Sequence, residues 1–421
     1  MKQAQDSPQG QPQSQPQEQA QNQLDKLPLN LPQELPQEKP LKLPITADRH
    51  ITGHILTPQG FVSGTLTINQ DGRIATITGQ PCDEAALRGS ALSRVLPGFI
   101  DLHVHGGGGH DVMAGGDAVL HIARLHACHG TTALLATTMT APHDELVMAM
   151  AALGPCCGQR AAGAARVLGV HLEGPFIHPG RLGAQPDFTR PASMAELLNL
   201  HALAPIRLIT LAPELPGNLA CIKPLREAGF VVQIGHSDGS YEDGVAALAA
   251  GASGFTHLFN AMSGFHHRAP GMVGAALAHA SFAELIPDLL HVHPGAIRAA
   301  LRAIPGLYCV SDATAATGMP DGAYQLGRQT VHKCLGGVRL ADGTLAGSTL
   351  TMDQALRNLV SLGLGLAEAS MRVSRMAADF LGLADRGRLQ PGAWADLVVL
   401  DQDLQLQQVW VEGEAITPTG R

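Results

Sequence analysis

Apolar and polar positions fall into three regimes along the chain. Residues 1–44 show no apolar periodicity and carry twelve Gln and eight Pro, with Pro at 8, 12 and 16 and again at 28, 32, 36, 40 and 44. Proline at every fourth position forbids a stable helix, and almost nothing there could be buried, so residues 1–45 read as a disordered Gln/Pro-rich extension. The segment lacks the apolar stretch of a signal peptide. From residue 46, ITGHILTPQGFVSGTLTINQDGRIATITG reads as short β-strands with turns at Pro58-Gln59-Gly60 and Asp71-Gly72. These are too few to enclose a core. The other chain end supplies partners: Ala395–Leu400 and Val409–Glu412 are β-like and follow a Pro391-Gly392 turn. Residues 46–95 and 386–421 are therefore expected to build one small β-sandwich, with 96–385 inserted between its halves.

The middle alternates. Strand-like runs VLPGFIDLHV, TTALLATTM, RVLGVHLEG, RLITLAP, FVVQIGHS, GFTHLFN, ELIPDLLHV and GLYCVSD are mostly separated by helix-compatible stretches such as Met194–Leu203, Tyr241–Ala250 and Pro294–Ile304. About eight β/α units fit an α/β fold of the (β/α)8 TIM-barrel type, although a doubly wound sheet gives similar local patterns. Where the polar residues fall separates the two. His103, His105, Glu173, His236, His257, His291 and Asp312 stand at or near the C-terminal ends of these runs, and barrel closure gathers such positions around one mouth. The barrel is the expected architecture.

Charge narrows the partners. With 28 Lys+Arg against 36 Asp+Glu the net charge is −8, which gives no electrostatic footprint for nucleic acid or an anionic membrane. No run of 18 apolar residues occurs, so no membrane span is expected. The seven Cys are an odd number without CxxC spacing and read as reduced thiols, which places the protein in the cytoplasm.

The chemistry begins at His103-Val104-His105. Alternate strand residues face one side with Cα atoms about 7 Å apart, so both imidazoles can grip one cation, and imidazole suits zinc or iron. Glu173 is an isolated carboxylate in an apolar strand, which burial makes costly without a cation beside it. With His236 and His257 it offers two nitrogens and one oxygen and leaves a position open for water, the pattern of a catalytic rather than a structural metal site. Asp312, after an apolar strand, can take a proton from water and return it to a leaving group. Bland roles compete. HxH can be two strand histidines bonded to backbone, Asp312 an Asx-turn or helix cap, and His121, His126, His129, His201 and His279 are read as structural.

The motifs PGFIDLHVHGGGG, HLEGPFI, GHSDGSY, THLFNAMSGFHHRAPG, DLLHVHP, VSDATAATG, AGSTLTM and PGAWADLVVLD occur in the order and at roughly the spacings of the N-acetylglucosamine-6-phosphate deacetylases, which the chain resembles over about residues 46 to 413. This family lies in the amidohydrolase superfamily. The resemblance implies a barrel bearing a small β-sandwich and release of acetate from a phosphorylated N-acetyl amino sugar, in cytoplasmic amino-sugar catabolism. It implies Glu173, His236 and His257 as constant metal ligands and Asp312 as the acid/base. His103 and His105 match the pair that adds a second metal in some members, so one or two divalent ions, Zn or Fe, are expected per subunit. Asn260, the backbone of Ala261, Arg268 and His291 match residues holding the sugar phosphate. Arg268 reaches in from the neighbouring subunit of a homodimer on the same resemblance.

One loop departs from the family. Where it usually reads KGAH, with a histidine on the scissile amide, this chain has Arg181-Leu182-Gly183-Ala184-Gln185. Ala184 and Gln185 are expected at the substrate, and Gln185 can donate a hydrogen bond but cannot become cationic. GFHHRAPGMVG and TGMPDGAY resemble the N-acetylgalactosamine-6-phosphate branch as much, which leaves the C4 epimer open. An amidohydrolase on another amide, or a metal-binding barrel without turnover, are the other classes. Asp312 speaks against the last, since a structural site needs no base.

Overall fold

The computed structural model describes residues 48–417, and the extension expected over 1–45 lies outside them. Strands Phe99–Val104, Thr131–Thr138, Arg166–Glu173, Ile206–Leu211, Val231–Ile234 and Gly254–Phe255 pair in parallel, in chain order, as a curved half-barrel sheet. Phe282–Leu285 and Gly306–Cys309 form a second parallel pair. Thr131–Thr138 is buried at every position, as a strand covered on both faces must be, which is why TTALLATT carries no in/out alternation. Helices Ala118–Cys128, His143–Gly158, Met194–Leu203, Asn218–Glu227, Tyr241–Ala250 and Pro294–Ala303 run between consecutive strands. Local signals start them: Ser193 accepts from the Glu196 amide, and Ser240 with Asp243 forms a reciprocal capping box.

The chain ends meet in one seven-stranded sheet. Leu406–Val411 lies between Glu414–Ile416 and Leu397–Leu400, which continues through Arg94–Pro97 to Arg49–Thr57, Gly60–Ile68 and Ile74–Cys82. This sheet has its own core of Ile55, Leu66, Ile68, Ile74, Val95, Ala395, Leu397 and Trp410, separate from the main core of the molecule. The strand Arg94–Pro97 straddles the boundary expected at 95/96, because it bonds to both chain ends before the chain enters the parallel sheet.

The structure departs from the expected elements in its last third. ELIPDLLHV is not one strand: pairing stops at Leu285, and Pro287, which has no N–H to donate, turns the chain into a loop carrying His291. An antiparallel sheet of Gly322–Leu326, Gln329–Cys334 and Gly337–Arg339 was not anticipated at all. Its small core holds Leu326, Val331 and Val338 against Met139 and Ala346.

Among the described residues no helix is long and apolar enough to cross a membrane. All seven cysteines are free.

Candidate active site

Parallel strands deliver side chains to one end. His103 lies in Phe99–Val104 and His105 just beyond it, Glu173 is the last residue of its strand, His236 and His257 stand two residues past theirs, and Asp312 stands three past Cys309. His236, His257, Ala261 and Asp312 all adopt left-handed backbone, at φ 48°, 26°, 49° and 52°. Non-glycine residues rarely do so, and such conformations persist where surrounding structure enforces them and side chains must be aimed. Glycines make the close approaches possible. A Cβ on Gly174, after Glu173, would come 2.0 Å from Thr140 Oγ1, and one on Gly235, before His236, would come 2.7 Å from Thr210 Cγ2.

The candidate ligand atoms converge on Glu173. Its Oε1 lies 3.1 Å from His236 Nε2 and 3.0 Å from His257 Nε2, which are themselves 3.1 Å apart. Its Oε2 lies 3.1 Å from His105 Nε2 and 3.4 Å from His103 Nε2, again 3.1 Å apart. Asp312 Oδ1 stands 3.4 Å and 3.6 Å from His105 and His103. One carboxylate thus faces a histidine pair with each oxygen.

The outer nitrogens decide the tautomers. Carbonyl and carboxylate oxygens can only accept, so His105 Nδ1 donates to Thr137 O at 3.2 Å, His236 Nδ1 to Arg181 O at 2.8 Å, and His103 Nδ1 to Glu284 Oε2 at 3.0 Å. In their neutral rings the Nε2 lone pairs then point at the centre, where lone pairs facing lone pairs and a carboxylate call for a cation. The electrostatics agree. Burial works against charge on His103, but Glu173, Asp312 and Glu284 outweigh it and raise the ring well above its usual value. For Glu173 burial is likewise outweighed, by His103 and His236, and the carboxyl is held well below the usual range. A field that attracts a proton this strongly attracts a metal ion, and the nitrogen-oxygen donor set suits a divalent one.

A cleft of about 230 Å³ opens beside these atoms, lined by Gln185, Asn260, Ala261, His291, Asp312 and Leu345 among others. Ala184 also lines it. Gln185 is buried with its amide fixed at both ends: its oxygen accepts from Thr140 N at 2.7 Å and its nitrogen donates to Glu173 Oε2 at 2.6 Å. It therefore bonds to a candidate ligand, a contact that the loop's sequence did not reveal. His291 Nδ1 sits 2.6 Å from Asp288 Oδ2. Burial disfavours its charge, but that hydrogen bond and the charge of Asp288 raise the ring above its ordinary value. Arg268 is exposed and absent from the lining of its own chain's cleft. Glu284 and Asp288 are the partners that sequence reasoning missed. The buried His126, read as structural, bonds to Gly106 O, and burial pushes it down to about 4.

Strand-end histidines and carboxylates around one cleft define the class, an amidohydrolase, and a sequence model described as the amidohydrolase family matches residues 94–416. The chain is 42% identical over 351 residues to N-acetylglucosamine-6-phosphate deacetylase from Lysinibacillus sphaericus, covering 80% of this chain and 90% of that protein. It is 40% identical to N-acetylgalactosamine-6-phosphate deacetylase from Escherichia coli O157:H7, over 86% of this chain and 97% of that protein. Among solved structures, a mutant N-acetyl-D-glucosamine-6-phosphate deacetylase from Mycobacterium smegmatis in complex with N-acetyl-D-glucosamine-6-phosphate matches with a TM-score of 0.80 at 34% identity, over 88% of this chain and 100% of that one. The chain belongs to the N-acetylglucosamine-6-phosphate deacetylase family of the amidohydrolases.

Proposed function

We propose that this chain hydrolyses the N-acetyl group of N-acetylglucosamine 6-phosphate to glucosamine 6-phosphate and acetate, using two divalent ions, Zn or Fe. The observation that carries this reading is Glu173 facing the His236/His257 pair with one oxygen and the His103/His105 pair with the other, beside a cleft that Asp312 lines. The relatives' activities support the substrate. On the same reading the two parallel sheets close into a (β/α)8 barrel. Supporting this, His105 N donates to Ala313 O and Asp312 N to His103 O where the chain leaves the first and last strands, and Leu258 N, just past Gly254–Phe255, donates to Glu284 O of the second sheet. The seven-stranded sheet over its own core is then the β-sandwich built by residues 46–95 and 386–421 around a barrel of 96–385.

Ions at this centre would supply Lewis acidity, lowering the pKa of water toward about 7 and polarising the acetyl carbonyl. Asp312 accepts the water's proton as the water oxygen bonds to the carbonyl carbon. The carbon–nitrogen bond breaks, and the carboxylic form of Asp312 returns that proton to the amine, which is otherwise a poor leaving group. Asn260, the Ala261 backbone and a cationic His291 hold the phosphorylated sugar, with Gln185 and Ala184 beside the acyl end. Arg268, exposed on its own chain, completes the phosphate contact across a homodimer with a bidentate grip.

Incubation with each 6-phosphate, scoring free amine, tests the substrate. Turnover of N-acetylglucosamine 6-phosphate far above that of unphosphorylated N-acetylglucosamine is expected, and no turnover of any phosphorylated sugar would refute the assignment. N-acetylgalactosamine 6-phosphate is a second reading. It is favoured by the 40% identity to the galactosamine enzyme and by the GFHHRAPGMVG and TGMPDGAY segments.

A further inference from the structure

We infer that Glu284, outside the cleft and outside the strand-end ligand set, is a positioning residue that holds His103, and through it the His103/His105 side of the centre, in its metal-binding form. The inference rests on the metal reading of the Glu173 cluster. Glu284 lies in the strand Phe282–Leu285 with no exposure to solvent. A buried carboxylate without compensation is costly, and no arginine or lysine pairs with it among the described residues. Three donors satisfy it instead. His103 Nδ1 lies 3.0 Å and the His257 amide 3.2 Å from Oε2, and the Tyr308 hydroxyl donates to Oε1 at 3.3 Å. Gln233 Nε2 in turn donates to that hydroxyl at 2.8 Å, so the phenol's own hydrogen is free for Glu284.

Consequences follow at His103. Its outer nitrogen is committed as a donor, so the neutral ring presents the Nε2 lone pair toward His105 and Glu173 Oε2, and the negative partner behind makes that lone pair more basic. The same carboxylate oxygen fixes the backbone of His257, which belongs to the opposite histidine pair. One residue thus sets the spacing of ligands that are 154 positions apart in the chain. A glutamine there has a single acceptor oxygen and brings donors of its own, so it cannot reproduce the charge or serve all three donors.

Zinc competition with a chromogenic chelator on purified holoenzyme tests this. Glu284→Gln should weaken the less tightly held ion by about 10–100-fold, lower kcat with KM for the sugar phosphate unchanged, and shift the visible spectrum of the cobalt-loaded enzyme. Tyr308→Phe removes a donor to Glu284 without touching His103 and should weaken zinc less than about threefold. Equal affinity in wild type and Glu284→Gln overturns the inference alone, and equal losses in the two variants overturn it as general loosening. If wild type binds no divalent ion, the metal reading falls with it. A measurement on the unmutated holoenzyme guards against a variant that does not fold: histidine nitrogen NMR should show His103 protonated at Nδ1, and a proton on Nε2 would overturn the inference.

Discussion

Glu173 and Asp312 are both buried carboxylates at strand ends, and their neighbours assign them different work. Glu173 is enclosed by four imidazole nitrogens and the Gln185 amide, with each oxygen engaged, so it can hold a cation but has no room to trade protons. Asp312 approaches one histidine pair only and borders the cleft. Asp312→Asn keeps size and hydrogen bonding but cannot transfer the proton, so kcat should fall by about 10² to 10⁴ with metal content unchanged. Near-normal turnover by a metal-loaded variant would remove Asp312 as acid/base and leave His291 to test. His291 carries its own prediction. Asp288 raises it above its ordinary 6.5, so the charge for phosphate is present at low pH and is lost as pH rises through that raised value. KM for the sugar phosphate should climb over that range while KM for the unphosphorylated sugar stays level, and parallel profiles would exclude the role. The gathering of His103, His105, His236 and His257 around Glu173 was legible because chemistry-bearing residues interrupt apolar runs at one end. Glu284 was not, because its partner His103 lies 181 residues away and no local spacing encodes a contact across the fold. Gln185 borders the cleft, but its loop sequence does not show the two bonds that fix its amide.

Strands and turns were legible as a sequence of elements, less so in their lengths. FVVQIGHS and GFTHLFN read as strands through their histidines, whereas pairing ends at Ile234 and Phe255 and the histidines sit in left-handed turns just beyond. Composition carries no sign of that turn, since tertiary contacts impose the backbone rather than residue preference. The hairpin sheet Gly322–Arg339 was missed for a related reason: its strands are short, polar on one face, and stabilised by packing against Met139. At the C-terminal strands a charged cluster gives an elemental prediction. Glu412, after Leu406–Val411, pairs with Arg166 at the head of Arg166–Glu173 and with Arg386. Burial opposes its ionisation, but Arg166 and Arg386 hold it down to about 2 against an ordinary 4.5. A depressed carboxylate contributes stability that is complete above the unfolded value and lost as pH falls toward the folded one. Asp353, also held to about 2 as burial yields to His129 and Arg357, acts in the same sense, while burial raises Asp396 and partly opposes them. Denaturation midpoints should therefore drop between about pH 4.5 and 2. Glu412→Gln should destabilise the fold near neutrality, because it takes the carboxylate from Arg166 and leaves Arg386 with Asp396, and should flatten that slope. An unchanged slope would show that the cluster is not what acid attacks.

At the scale of the molecule, both ends carry turn-bounded β segments too short to enclose a core alone, and both contribute strands to one seven-stranded sheet. Arg94–Pro97 pairs with strands from both ends. Assembly gives a prediction of its own. With Arg268 exposed and outside its own cleft, mixing Arg268→Ala subunits with His236→Ala subunits should restore activity through hybrid dimers that carry one intact site, and failure to restore it would place the arginine elsewhere. On the proposed function, a divalent metal centre on Glu173 drives deacetylation of a phosphorylated amino sugar. Its most direct test is acetate release from N-acetylglucosamine 6-phosphate, measured on chelator-stripped protein as Zn or Fe is added back, with bound metal counted in the same samples. Activity should be absent without metal, rise with each equivalent, and saturate at two ions per chain in wild type but at one in a His103→Ala/His105→Ala variant. Full turnover by metal-free protein would contradict it.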